Sequence, residues 1–224
     1  MIYQEFADFW RQLRPGETIH PEDKPILDNE PHTLVTEYLP EFGKGPLATA
    51  PVVLCYLNNG YTKTSPLATV EEHGKTWGRY LAGIIEGKSQ PRPLSPWVKD
   101  RVRDLNLKEG EVATFNIVPY RSQKFKDRGL AQYLPSVRMA RNYLHDVLLP
   151  AAARGERFVV IARAARLWGV HPAQTHDTLA VCTQNRKGYL PDDVKWRIKD
   201  WANIRRELRQ GDTTWRRKRR RLKN

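Results

Sequence analysis

The sequence predicts an α/β protein, a three-layer α/β/α arrangement around a central, mostly parallel four-stranded sheet. Three observations predict it. First, four short apolar runs, 52–57, 112–118, 158–162 and 178–183, are rich in β-branched and aromatic residues. They lack the alternation of half-exposed strands, so they read as strands buried on both faces. Second, segments with apolar residues at helical spacing separate these runs, as crossovers do in a parallel sheet. Third, three of the runs end abruptly in amide side chains: Asn58-Asn59-Gly60, Asn116, and Gln184-Asn185. The carboxyl ends of parallel strands share one edge, and that edge is where open α/β sheets bind ligands.

The elements follow in order. Ile2, Phe6, Phe9, Trp10 and Leu13 lie on one face of a helix over 2–13, which Arg14-Pro15-Gly16 ends. Residues 17–48 are rich in Pro, Gly and acidic residues and read as an irregular leader with a short extended piece over 33–38. After the first strand, 61–70 is a polar loop. A helix over 71–86 places Trp77, Tyr80, Leu81 and Ile84 on one side. Ser95 caps a short helix that has Pro96 at its first position and runs to about Leu105. The second strand ends in Pro119-Tyr120-Arg121-Ser122, followed by a basic loop with Arg121, Lys124, Lys126 and Arg128. A helix over 135–149 presents Val137, Ala140, Tyr143, Leu144, Val147 and Leu148, with Ser136 as its cap. After the third strand, 164–168 is a short helix ended by Gly169. A long helix begins at Asp192-Asp193 and runs to about Leu208, with acidic residues at its start and arginines at its end, as the helix dipole favours. The chain thus divides into a helix and leader packed on the core (1–46), an α/β/α domain (47–210) and a basic tail (211–224).

Composition narrows the partners. No run of about 18 apolar residues exists, so no membrane span is expected. The N-terminus lacks a basic segment followed by an apolar one, so no signal peptide is expected and a cytoplasmic location is, nucleoid-associated in a prokaryote. Cys55 and Cys182 each lie inside an apolar run and read as buried hydrophobes. The net charge is +13 with a pI near 9.9. Residues 215–223 carry seven of the positive charges, and the remainder is still basic. A polyanion, DNA foremost, is the natural partner of such a chain; a merely solvated or ribosomal basic surface is the alternative.

The amide-bearing strand ends suit recognition of a nucleobase edge, which presents both donors and acceptors. No Gly-x-Ser-x-Gly elbow and no phosphate-cradling P-loop is present. His171, His176 and Asp177 match no standard metal spacing, so no metal and no cofactor is expected. The stretch Leu57-Asn58-Asn59-Gly60-Tyr61 resembles the first motif of the uracil-DNA glycosylase superfamily, in which a strand ends in Asn-Pro-Gly or Asp-Pro-Tyr. Thr114-Phe115-Asn116 is similar to that superfamily's base-reading strand, and Thr183-Gln184-Asn185-Arg186 stands where its last motif follows the final strand. The resemblance covers roughly residues 46 to 205.

The resemblance implies a monofunctional, metal-independent DNA glycosylase that flips a pyrimidine out of DNA and hydrolyses its N-glycosidic bond. Asn58 would position the attacking water, and Asn116 would bind the pyrimidine edge. Gln184 or Asn185 would face the departing base or a nearby phosphate. Gly60 replaces a Tyr that crowds C5 in uracil-specific members, so a modified pyrimidine fits, in repair or in defence against modified phage DNA. Tyr61, Trp77 and Tyr120 are candidates to stack on the base, and Tyr189-Leu190 resembles the tip that probes the base stack. Arg121, Lys124, Arg186 and Lys187, with Arg216, Arg217, Arg219 and Arg220 of the tail, are the expected DNA contacts of a monomer. Each site residue has a plainer reading: Asn58 as a turn residue, Asn116 as a buried amide bonded to backbone, the aromatics as core. Asn59 stands where the first motif has Pro, and no His stands near Gln184. These departures motivate the alternative, a non-catalytic nucleic-acid-binding module on the same fold.

Overall fold

The computed structural model describes residues 4–14, 16–60, 70–85, 94–108, 110–183 and 188–209. In chain order its elements are α1 (Gln4–Arg11), α2 (Lys24–Asn29), β1 (Gly43–Lys44), β2 (Val52–Tyr56), α3 (Val70–Ile84) and α4 (Pro96–Val102). A 3-10 turn (Arg103–Leu105) follows, then β3 (Val112–Asn116), α5 (Arg128–Ala131) and α6 (Pro135–Tyr143). A π-helical turn (Leu144–Leu148) leads into α7 (Leu149–Ala153), followed by β4 (Phe158–Ile161), α8 (Ala165–Trp168), β5 (Leu179–Val181) and α9 (Asp192–Arg209).

The chain is a mixed α/β protein with a five-stranded sheet in the order β1-β3-β2-β4-β5. The four expected strands are present and parallel. The fifth corrects the expectation of four. Gly43 and Lys44 pair antiparallel with Phe115 and Thr114, inside the stretch read as irregular. Two residues are too few to show periodicity, and what makes them a strand is the open edge of β3. The same leader also holds α2. The extended piece over 33–38 contributes a single bridge, Val35 with Arg121.

Every residue of β2, β3 and β4 is buried. Successive side chains go to opposite faces, and each face has its own core. Val53, Cys55, Phe115 and Ile161 pack with Phe6 and Trp10 of α1, Ile84 of α3 and Val137 of α6. Val52, Leu54, Phe158 and Val160 pack with Val98 of α4 and Val194 and Ile198 of α9. The buried Phe6 meets Phe115 edge-on at 5.7 Å, so the N-terminal helix belongs to the same core as the sheet.

Two caps differ from the expectation. Ser95 does cap α4, accepting from the Val98 N–H at 3.4 Å. Ser136 does not cap α6; it is buried in the first turn, and its own N–H donates to Asp23 Oδ1 at 2.9 Å. The leader therefore supplies the carboxylate that satisfies this free helix-end donor. The widened turn over 144–148 ends two positions before Pro150, which has no N–H to give and crowds the carbonyl four residues back. No helix among the described residues is long and apolar enough to cross a membrane.

Candidate functional site

The chain leaves β2, forms β3 on one side of it, and returns to form β4 on the other. That reversal of direction makes the carboxyl end of β2 the switch point of the sheet, where adjoining loops part and leave a crevice. A crevice of about 650 Å³ lies there, between the ends of β2 and β3 and the start of α4.

Asn58 lines it. Its Nδ2 donates to the Tyr120 carbonyl at 3.1 Å and to Ser122 Oγ at 2.7 Å. The Tyr120 carbonyl can only accept, so this pair fixes which end of the amide is nitrogen. Both amide hydrogens are then committed to protein. Oδ1 is left as an acceptor with no hydrogen bond to any described residue. Backbone bonds hold the turn in place: Val118 N–H donates to Leu57 O at 2.8 Å and Ser122 N–H to Asn59 O at 3.2 Å.

Asn59 ties the turn to a residue the sequence reading passed over. Its Nδ2 donates to Glu41 Oε2 at 2.8 Å. Glu41 is 2% exposed and pairs with Lys44 Nζ at 3.2 Å and Arg121 Nη2 at 3.3 Å. Its backbone carbonyl accepts from Asn116 Nδ2 at 3.1 Å. Glu41 thus ties both amide-bearing strand ends, one through its carboxylate and the other through its backbone carbonyl. Asn116 is itself 3% exposed and lines the crevice. Both plain readings are therefore true in part: these amides bond to backbone, and they also face the crevice.

The opposite wall is aromatic. Trp97 of α4 is 43% exposed and meets Tyr56 edge-on at 5.3 Å. The Arg101 guanidinium lies 3.5 Å from the Trp97 ring centre and 4.2 Å from that of Tyr189, a sandwich in which the cation is desolvated against two π faces. Arg101 is also anchored through Nη1 to the Trp97 carbonyl at 2.8 Å. Gly188 makes the sandwich possible: a Cβ there would lie 2.6 Å from the Trp97 ring edge. Burial pushes the Tyr56 phenol well above its ordinary range, against the opposing pull of Arg101 and Arg163. Four cations, Lys44, Arg101, Arg121 and Arg163, line the crevice with Glu41 as the one acidic residue among its described lining.

The structure brings together Asn58, Gly60, Asn116, Arg121 and Tyr189 of the expected site. Among the described residues, and leaving aside its chain neighbours, no atom lies within 4 Å of where a Cβ on Gly60 would stand. Tyr120 is a correction. Its ring is 1% exposed, and its hydroxyl donates to Asp23 Oδ2 at 2.6 Å and accepts from the His20 N–H at 3.1 Å. It stacks on nothing in the crevice; only its carbonyl serves the site, through Asn58. Trp77 is likewise in the core, 5.8 Å from Trp10, and Leu190 is buried rather than at a probing tip. Lys124 is exposed on the loop after β3 and does not line the crevice. Tyr61, Gln184, Asn185, Arg186 and Lys187 lie outside the described residues, as do Arg216, Arg217, Arg219 and Arg220.

The reading of the strand ends missed Glu41, Lys44, Trp97, Arg101 and Arg163. The one available signal was Trp97 directly after a capped helix start, a large apolar residue in a position that packing does not require.

A larger groove of about 930 Å³ lies at the other edge of the sheet, between α9 and the segments preceding β4 and β5. Two of its three arginines are committed to the fold, Arg197 donating to the Leu179 carbonyl at 3.1 Å and Arg205 to the Glu156 carbonyl, and the third, Arg154, pairs with Glu156. The crevice at the switch point is the candidate functional site. Among the described residues, no three His, Cys, Asp or Glu side chains converge as metal ligands would. No protein-family model matches the sequence, and no curated protein matches it.

Proposed function

We propose that this chain is a monofunctional DNA glycosylase that flips a modified pyrimidine into the switch-point crevice and hydrolyses its N-glycosidic bond. The reading takes the framework as three-layered α/β/α and the chain as a cytoplasmic monomer that needs no metal. The observation that carries it is the fixed amide of Asn58. With both hydrogens committed, Asn58 offers one oriented acceptor, which would hold a water by one hydrogen and leave its lone pair free to attack C1′. An amide cannot deprotonate water, so its contribution is orientation, worth several kcal/mol when the reacting atoms are held near contact.

Glycosidic cleavage passes through an oxocarbenium-like state while the base leaves as an anion. A crevice with four cations to one carboxylate favours that anion. Asn116 supplies an amide for the base edge, and the open space at Gly60 accepts a substituent on C5. Glu41 is a positioning residue, because its oxygens are already engaged by Lys44, Arg121 and Asn59.

The test is incubation with duplex and single-stranded DNA carrying uracil, mismatched thymine or C5-modified cytosines, followed by alkali. Strand breaks that appear only after alkali support base release. Asn59 in place of Pro favours the second reading, a nucleic-acid-binding module without chemistry. Binding with no breaks on any substrate would select it.

A further inference from the structure

The geometry points to Arg163 as the anchor for a phosphate of the nucleotide held in the crevice. The inference rests on reading the crevice as a nucleotide site, and not on base release. It follows from asking what each cation there already does. Lys44 and Arg121 are paired with the buried Glu41. Arg101 is clamped between Trp97 and Tyr189 and bonded to the Trp97 carbonyl. Arg163 lines the same crevice half-buried, and its guanidinium has no hydrogen bond or ion pair to any described residue.

Its position is fixed by backbone. Arg163 stands two residues past the end of β4, and its N–H at 3.3 Å shares the Cys55 carbonyl with the Ala162 N–H at 2.9 Å. The side chain therefore starts from a rigid point beside the switch, near enough to Tyr56 to act on its phenol. A half-buried guanidinium is partly stripped of water and gains most from a planar, doubly charged or bidentate partner. The neighbouring surfaces say what that partner is attached to. An aromatic wall and two amides suit a flat heterocycle with hydrogen-bonding edges, and a nucleotide joins such a heterocycle to a phosphate. The anion has two sources, the phosphodiester of a DNA strand or the monoester of a free nucleotide.

The experiment measures binding of thymidine, thymidine 5′-monophosphate and the dinucleoside phosphate of thymidine to the full chain by calorimetry. The phosphate-bearing ligands should bind about tenfold or more tightly than the nucleoside, the gain of one charge-assisted anchor. Arg163→Gln should remove that difference and leave the nucleoside unchanged, while Arg163→Lys keeps part of it. Arg166→Gln, exposed three positions on, should change nothing. A stronger effect with the diester assigns the strand as the source, and a stronger effect with the monoester assigns a free nucleotide. Equal binding of nucleoside and phosphates, an undiminished preference in Arg163→Gln, or no binding of either phosphate at millimolar concentration overturns the inference. Should Arg163→Gln fail to fold, Arg163→Lys decides: a reduced phosphate preference supports the anchor, and an undiminished one overturns it. Absence of strand breaks on every modified DNA leaves these ratios untouched, so the anchor and the glycosylase reading fail separately.

Discussion

Replacing Gly188 by Ala should destabilise the protein by about 2–4.5 kcal/mol, and the sum can be built from separate parts. Gly188 has a φ of +74°, where an L residue costs roughly 1–2 kcal/mol. The added Cβ would stand 2.6 and 2.9 Å from two atoms of the Trp97 ring and 3.4 Å from Tyr56. The ring must retreat until it reaches ordinary contact. That displacement weakens the edge-on Tyr56 pair, worth about 0.5–1.5 kcal/mol, and the Arg101 contact, worth about 0.5–1 kcal/mol. Gly155 supplies the control. Its φ is +73°, but among the described residues nothing beyond its chain neighbours lies within 4 Å of its missing Cβ. Gly155→Ala should therefore show the backbone part alone, about 1–2 kcal/mol. Urea unfolding of both variants gives the comparison. In a Trp97→Ala background, the excess cost of Gly188→Ala should vanish, which a double-mutant cycle reads directly. Equal losses for Gly188→Ala and Gly155→Ala would refute the claim that Gly188 exists to admit the Trp97 ring.

Four further outcomes are expected. Asn58→Ala should abolish base release while leaving DNA affinity within a few-fold in a filter-binding assay, since phosphate contacts dominate such interfaces; full activity would remove Asn58 from catalysis. Gly60→Tyr, for which the backbone and the open space leave room, should suppress cleavage of bulky C5-modified pyrimidines more than of uracil; equal loss on both would show that C5 does not point there. Glu41→Gln should lower stability by about 1–3 kcal/mol in urea unfolding, because two flanking cations lose their counter-charge, and an unchanged midpoint would contradict its organising role. The last concerns pH. Burial pushes His20 below its ordinary value, and its ring fits the neutral form, with Nε2 2.8 Å from the Phe9 carbonyl and Nδ1 accepting from the Glu22 N–H. The unfolded chain takes up that proton near pH ~6.5 and the folded chain only at lower pH. The His20 contribution is thus intact above pH ~6.5 and is lost as pH falls below it. Asp23, whose carboxyl burial pushes up, acts in the opposite sense. The comparison of wild type with His20→Gln at pH 5 and 7.5 isolates the ring: the variant should lose less stability on acidification.

Strands β2, β3 and β4 were legible because burial on both faces leaves an unbroken apolar run, a pattern that needs no knowledge of the partner. The same runs located Asn58 and Asn116, since polarity switches where a buried strand reaches its edge. Glu41 and Lys44 were illegible for the opposite reason. In sequence they are two charges in a Pro- and Gly-rich leader, and only their distant partners, Arg121 and β3, give them a place. Arg101 reads as a solvated charge on a short helix, yet it is 8% exposed because two aromatic rings close over it. Tyr120 shows the limit from the other side. An aromatic just after a strand end points either to the crevice or to the core, and its direction is set by Asp23, 97 positions earlier in the chain.

The pairing of β1 with β3 has a consequence for how the molecule comes into being. Lys44 and its partner Thr114 are 70 positions apart. At about 5–20 residues per second, a ribosome needs roughly 4–14 seconds to travel from one to the other. Throughout that interval Glu41 has been made and Arg121 has not, so its carboxylate waits for one of its two cations. The two residues of β1 wait likewise for the strand they pair with. A ribosome pausing before β3 lengthens that wait, and one that passes quickly shortens it.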